Sequence, residues 1–188
     1  MLLLIAGLLL FTIVHVFPSA LAESRTALVE KLGDKPYRGL FSVTIVASLI
    51  LIVVGWKSAT PTPVYLPPFG SEPILSAMVL LAFVLFVAAQ TRTNIRRYIR
   101  HPQMTAVLLW STAHLLVNGD SRSVVLFGGL GAWAVIEMLL CNRRDGTWKK
   151  PEPASIFTDA VTVAIGAAGF ALIWYFHGAL FGVAVATS

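Results

Sequence analysis

Only one cysteine, Cys141, stands in the 188 residues, which excludes an intrachain disulfide and any zinc site built on thiolates. It reads as a passive apolar residue at a helix end. Charge is scarce too. Asp, Glu, Lys and Arg make up 12% of the chain, against about a quarter in a soluble domain. Hydrophobic residues make up 57% and the mean hydropathy is +0.80. A surface that apolar would aggregate in water, so lipid is the solvent over much of it. The net charge of +5 is not gathered on one face or tail. Its basic residues sit in short clusters between apolar runs, which argues for membrane topology and against nucleic acid as a partner. Internal repeats and low-complexity tails are missing as well, and the length suits one domain, 1–188.

What is present is apolar sequence in runs. Six can be read: Leu2 to Ala20, Arg38 to Trp56, Pro73 to Gln90, Gln103 to Val117, Val124 to Cys141 and Ile156 to Phe176. Most are close to the roughly 20 residues that cross a hydrocarbon core. The fourth is short, which suggests one end recessed against neighbours. Gly33 to Pro36 breaks the chain before the second run, and Pro61, Pro63, Pro67, Pro68 and Gly70 fill the next connection. Asn118-Gly119-Asp120 reads as a tight turn, and Ser155, after Pro151 and Pro153, as an N-cap. The expected fold is therefore all-α, an integral membrane bundle of about six transmembrane helices.

Basic residues set the expected orientation. Arg25, Lys31, Lys35 and Arg38 follow or border the first run. Arg92, Arg96, Arg97 and Arg100 follow the third, and Arg143, Arg144, Lys149 and Lys150 follow the fifth. The other two loops hold only Lys57 and Arg122. This strict alternation places the basic loops in the cytoplasm and both termini outside. Ala20-Leu21-Ala22 resembles a signal-peptide cleavage site, but no Lys or Arg precedes the apolar stretch, and the first run is read as a retained anchor.

Ionisable groups at membrane depth are expensive and mark functional sites by default. Thr12, His15 and Ser19 recur on one helical face, as do Ser111, His114 and Asn118. Two inward imidazoles with few carboxylates nearby suit a metal, and imidazole serves iron, copper and zinc alike. In a helix bundle such a pair can clasp a haem. His101 and His114 lie about 20 Å apart along one helix and on nearly opposite faces, so they cannot share an iron. His15 must pair with one or the other. The plainer alternative is a histidine that hydrogen-bonds a neighbouring carbonyl or hydroxyl. His101 also fits the cap before Pro102 at the first helical position, and His177 reads as interfacial. Glu137 is expected to pair with a basic residue or to snorkel outward. Trp56, Trp133, Trp148 and Trp174 are expected to form an interfacial belt. Gly128-Gly129 and the stretch from Gly166 to Gly169 read as helix-packing positions.

Several motifs together resemble the NnrU family of bacterial membrane proteins. They are Arg100-His101-Pro102-Gln103, the stretch from Leu109 to Asp120, and Leu126-Phe127-Gly128, with His15, Pro18, Arg25, Leu32-Gly33 and Tyr37-Arg38 in the first half. The resemblance runs through nearly the whole chain. It implies a link to denitrification, specifically nitrite and nitric oxide reduction. The same motifs are similar to 15-cis-zeta-carotene isomerases, and that resemblance implies haem b held by two histidines, at the positions of His15 and His114. Two departures stand out. Ser111 occupies the place of an isomerase cysteine implicated in a redox-linked ligand change, which puts the isomerase activity in doubt, and Ala106 replaces a family glycine. The Arg-His-Pro motif is also similar to isoprenylcysteine-type methyltransferases, which use S-adenosylmethionine. Met104 and Asn142-Arg143-Arg144 depart from their tyrosine and acidic pair.

The resulting expectation is a haem b protein that supports nitrogen-oxide metabolism, with possible redox or isomerase-like chemistry on an apolar small molecule. A non-catalytic assembly factor for a respiratory nitrogen-oxide reductase is the alternative, and a membrane methyltransferase the third. Arg96, Arg100 and His101, at a helix mouth, are expected to bind an anionic group such as a haem propionate or a phosphate. Ser111 and Asn118 complete the expected cofactor surroundings.

Overall fold

A computed structural model describes residues 1–68 and 73–182, so Gly70 lies outside the described residues. Its helices are α1 (Leu2–Ala20), α2 (Ala22–Leu32), α3 (Asp34–Ser58), α4 (Pro73–Ala88), α5 (Pro102–Val117), α6 (Ser121–Asp145) and α7 (Ile156–Phe181). A short 3-10 helix spans Asn94–Arg97. The protein is an all-helical membrane bundle. Four helices, α1, α3, α6 and α7, are long and apolar enough to cross a membrane. The 16-residue α4 and α5 occupy the third and fourth apolar runs, at about 24 Å each by helical rise.

Helix ends follow local chemistry. Asp34 pairs with Arg38 at 2.9 Å, one turn apart, which carries α3 a turn beyond its apolar stretch. Asp120 caps α6 by accepting from the amides of Arg122 and Ser123, and Ser155 caps α7 through the Phe157 amide. Pro102 starts α5 and His101 is its N-cap, as the sequence suggests. The segment after the first run is not an open loop. It forms α2, a surface helix with no buried residue, whose mixed polarity gives no apolar period to read.

The described chain folds as two compact units. Unit 1 comprises Met1–Tyr65 and Gly119–Gly146. Here α1 packs on both α3 and α6. A methyl group on Gly7 would lie 2.7 Å from the Ile52 nitrogen, and one on Gly55 would overlap the Leu4 backbone. These two crossings make α1 and α3 antiparallel at close backbone approach, the use of small residues expected where lipid gives no hydrophobic drive. Leu4, Leu8 and Ile52 form the core. Outward, α3 presents Val43, Val46, Ile50 and Val53, all exposed, a face suited to lipid.

Unit 2 comprises Leu66–Asn118 and Thr147–Ser188. In it α4 packs on α5 and α7, around Ala82, Leu85 and Ala106. Gly166 of α7 admits the Val84 backbone, where an added methyl would stand 2.7 Å from Cα, and Gly169 sits against Phe83. Of the two adjacent glycines of α6, Gly129 meets Leu8, whereas Gly128 meets nothing within 4 Å.

Candidate functional site

In unit 1, His15 sits in an aromatic enclosure. Its ring centroid is 4.1 Å from Phe11, 5.2 Å from Trp133 and 5.7 Å from Phe41, so α1, α3 and α6 all contribute. Trp133 is 4% exposed and belongs to this enclosure; it is no interfacial belt residue. One turn further along the same face, Ser19 is buried and its hydroxyl donates to Glu137 of α6. His15–Trp133 and Ser19–Glu137 share one sequence offset, which makes α1 and α6 parallel and stacks two layers along them. Thr12 is half-buried on the same face.

Glu137 departs from its expected pairing. Among the described residues it forms no ion pair; its carboxylate accepts from Ser19 and, at 3.6 Å, from the Cys141 thiol. Arg144 binds Asp145 at 2.7 Å and reaches the Ser19 hydroxyl at 3.3 Å. Cys141 is thus part of a polar cluster.

In unit 2, Ser111, His114 and Asn118 share one face of α5. Ser111 is 1% exposed and its hydroxyl has no hydrogen-bond partner. Asn118 donates from Nδ2 to the His114 carbonyl at 2.9 Å, closing the helix end. The His114 ring packs on Trp110 at 5.0 Å, and His177 of α7 lies within electrostatic reach.

The two histidines are held alike. His15 Nδ1 lies 2.9 Å from the Phe11 carbonyl, and His114 Nδ1 lies 2.8 Å from that of Trp110. A carbonyl only accepts, so Nδ1 carries the proton in each ring, and the neutral imidazole has its lone pair on Nε2. This is the plain hydrogen bond foreseen for a histidine in an apolar helix. It is also the arrangement that orients a metal-binding imidazole. No group of three or more His, Cys, Asp or Glu able to hold a metal occurs among the described residues.

Arg96, Arg100 and His101 cluster at the opposite end of α5, about 20 Å from His114 by helical rise. The 3-10 helix that carries Arg96 and Arg97 is clamped to the first turn of α7. Asp159 accepts from Thr93 Oγ1 at 2.5 Å and from the Asn94 amide and side chain at 2.8 Å each. Asn94 in turn exchanges hydrogen bonds with the Ala154 backbone. Arg96 is exposed, and Arg97 and Arg100 are half-buried. None of Arg92, Arg96, Arg97 and Arg100 forms an ion pair among the described residues.

Sequence reasoning missed Phe41 and Trp133 beside His15, and Ser19 as the partner of Glu137. The i, i+4 pairs His15–Ser19 and Trp133–Glu137 were the available signal, but only packing shows that they meet.

Comparison with known proteins gave no match among curated proteins and none among solved structures. The sequence model described as NnrU protein matches residues 3–185, nearly the whole chain and both units. Such membership fits a multi-pass membrane protein linked to nitrite and nitric oxide reduction. The chain belongs to the NnrU family.

Proposed function

We propose that this protein is a haem b protein of the bacterial inner membrane that supports nitrite and nitric oxide metabolism, with His15 and His114 as axial ligands. The observation that carries this reading is the shared imidazole geometry. Each ring donates from Nδ1 to the carbonyl one turn earlier, so both present Nε2 as the coordinating nitrogen. The resemblance to zeta-carotene isomerases noted in the sequence implies ligands at the same two positions. When bound, a haem with two imidazoles supplies one-electron chemistry tuned by its surroundings. Phe11, Phe41 and Trp133 pack around the His15 ring, and Trp110 packs on that of His114. Ser111 stands where the isomerases carry a cysteine, and a hydroxyl is a poor iron ligand. Redox or partner-directed work for a nitrogen-oxide reductase therefore fits better than ligand-exchange isomerisation. The arginines at the mouth of α5 suit an anion, and their distance from His114 favours a phosphate over a propionate.

An absorption spectrum of the purified protein tests the reading. A Soret band with split reduced α and β bands is expected. His15→Ala and His114→Ala each abolish most of the haem content, while His101→Ala and His177→Ala retain it. A colourless parent protein, or four variants with the parent's spectrum, would overturn the proposal; a colourless parent points to the assembly-factor reading. For topology, a reporter active only in the periplasm is expected to work when fused after Ser188 and to be silent within 143–150. The reverse pattern overturns the orientation.

A further inference from the structure

The polar layer beyond His15 has no part in the function proposed above. Glu137 is 5% exposed and lies inside a helix of spanning length, where a carboxylate is among the costliest groups to place. Ser19 and Cys141 both donate to Oε1, while the buried Oε2 has no hydrogen-bond partner. Two more buried polar atoms nearby lack one: Trp133 Nε1, one turn back on the same face of α6, and Tyr37 Oη of α3. Tyr37 falls in the Ser19 layer by register. Phe41, one turn on in α3, packs on His15, which is one turn back in α1. A half-satisfied polar network is a poor way to stabilise a fold. Of the six buried polar side-chain atoms without a hydrogen-bond partner among the described residues, three lie at this end of unit 1, and a buried unsatisfied group calls for a functional or structural reason.

We infer that Glu137 is a proton-binding site within the membrane, taking up and releasing a proton at Oε2 and communicating with water through Ser19 and Arg144. Arg144 is exposed. It donates from Nη1 to Ser19 Oγ at 3.3 Å and from Nη2 to Cys141 Sγ at 3.8 Å, so its charge reaches the carboxylate through the hydroxyl. Ionised, Glu137 keeps two donors and a guanidinium one hydrogen bond away. Protonated, it carries no charge and Oε2 becomes a donor.

The other charged or titratable groups facing it are few. On α1 there is His15, one turn away. Tyr37 comes from α3, and on α2 Arg25 lies over the Tyr37 ring at 5.7 Å. On α6 itself are Cys141, Arg143, Arg144 and Asp145, the last paired with Arg144. One helical turn, about 5 Å, separates the Ser19–Glu137 layer from the His15–Trp133 layer. The inference does not rest on haem binding.

Labelling with dicyclohexylcarbodiimide tests it, since this membrane-soluble probe reacts with protonated carboxyls and leaves a stable acylurea. In the full-length protein in bilayers, mass spectrometry is expected to find Glu137 labelled well above Glu30, Asp34 and Glu152. Labelling should fall about tenfold per pH unit once the carboxyl is mostly ionised, and Glu137→Gln should remove it. Infrared difference spectra across the same pH range should show a carboxylic C=O band that disappears in Glu137→Gln. Labelling of Glu137 that ignores pH overturns the proposal. So does the absence of a protonated carboxyl at 137 by both methods throughout the range in which the protein stays folded.

Discussion

Each unit holds an acid that bonds to another element from within a helix of spanning length, Glu137 in unit 1 and Asp159 in unit 2, and the two are treated oppositely. Asp159 of unit 2 has both oxygens taken by Thr93 and Asn94. It ties the 3-10 helix to α7, with a donor on each oxygen. Glu137 of unit 1 has one oxygen satisfied and one buried without a partner. A saturated carboxylate fixes architecture, whereas a half-satisfied one can change its bonding. Burial alone would have ranked the two acids without saying what either does; the partners separate them.

The largest effect is expected where the backbones approach most closely. Gly55→Ala forces α1 and α3 apart and should cost about 3 kcal/mol, the upper end for overpacking. Gly128→Ala, in open space, should change stability by less than about 0.5 kcal/mol. Thermal unfolding in detergent measures both. Equal losses would mean that the close crossing in unit 1 is not what holds α1 to α3.

The comparison of the acids is sharpened by removing each in turn. Asp159→Ala breaks a charge-assisted network and should cost about 2 kcal/mol, with hydrogen exchange rising across 94–97. Glu137→Gln keeps an acceptor for Ser19 and should stay within about 1 kcal/mol of the parent. If Glu137→Gln proved the more destabilising, Glu137 would be a structural clamp like Asp159.

Smallest are the caps. Asp120→Ala in unit 1 removes two amide contacts and a 2.5 Å bond to the Ser123 hydroxyl. It should cost about 1.5 kcal/mol, and Ser155→Ala in unit 2 about 0.5 kcal/mol, because that cap is exposed. Equal values would show that burial of the cap carries no weight here.

Much of this was legible beforehand. Hydropathy fixed the six apolar runs because each side chain meets lipid or a neighbouring helix, and composition alone reports that. Pro102, His101 and Ser155 marked helix starts because capping is local chemistry. The shared faces of Thr12, His15 and Ser19 and of Ser111, His114 and Asn118 followed from helical period. Tertiary structure decided the rest. Gly7 and Gly55 became contact points, and Gly128 did not, because a close crossing depends on what the other helix brings to it. Trp133 left the interface for the His15 enclosure, and Glu137 found Ser19 instead of a cation, because α1 and α6 run parallel in one register. Sequence separation hides that register: no local rule links residues 118 positions apart, and only the packed bundle brings them together.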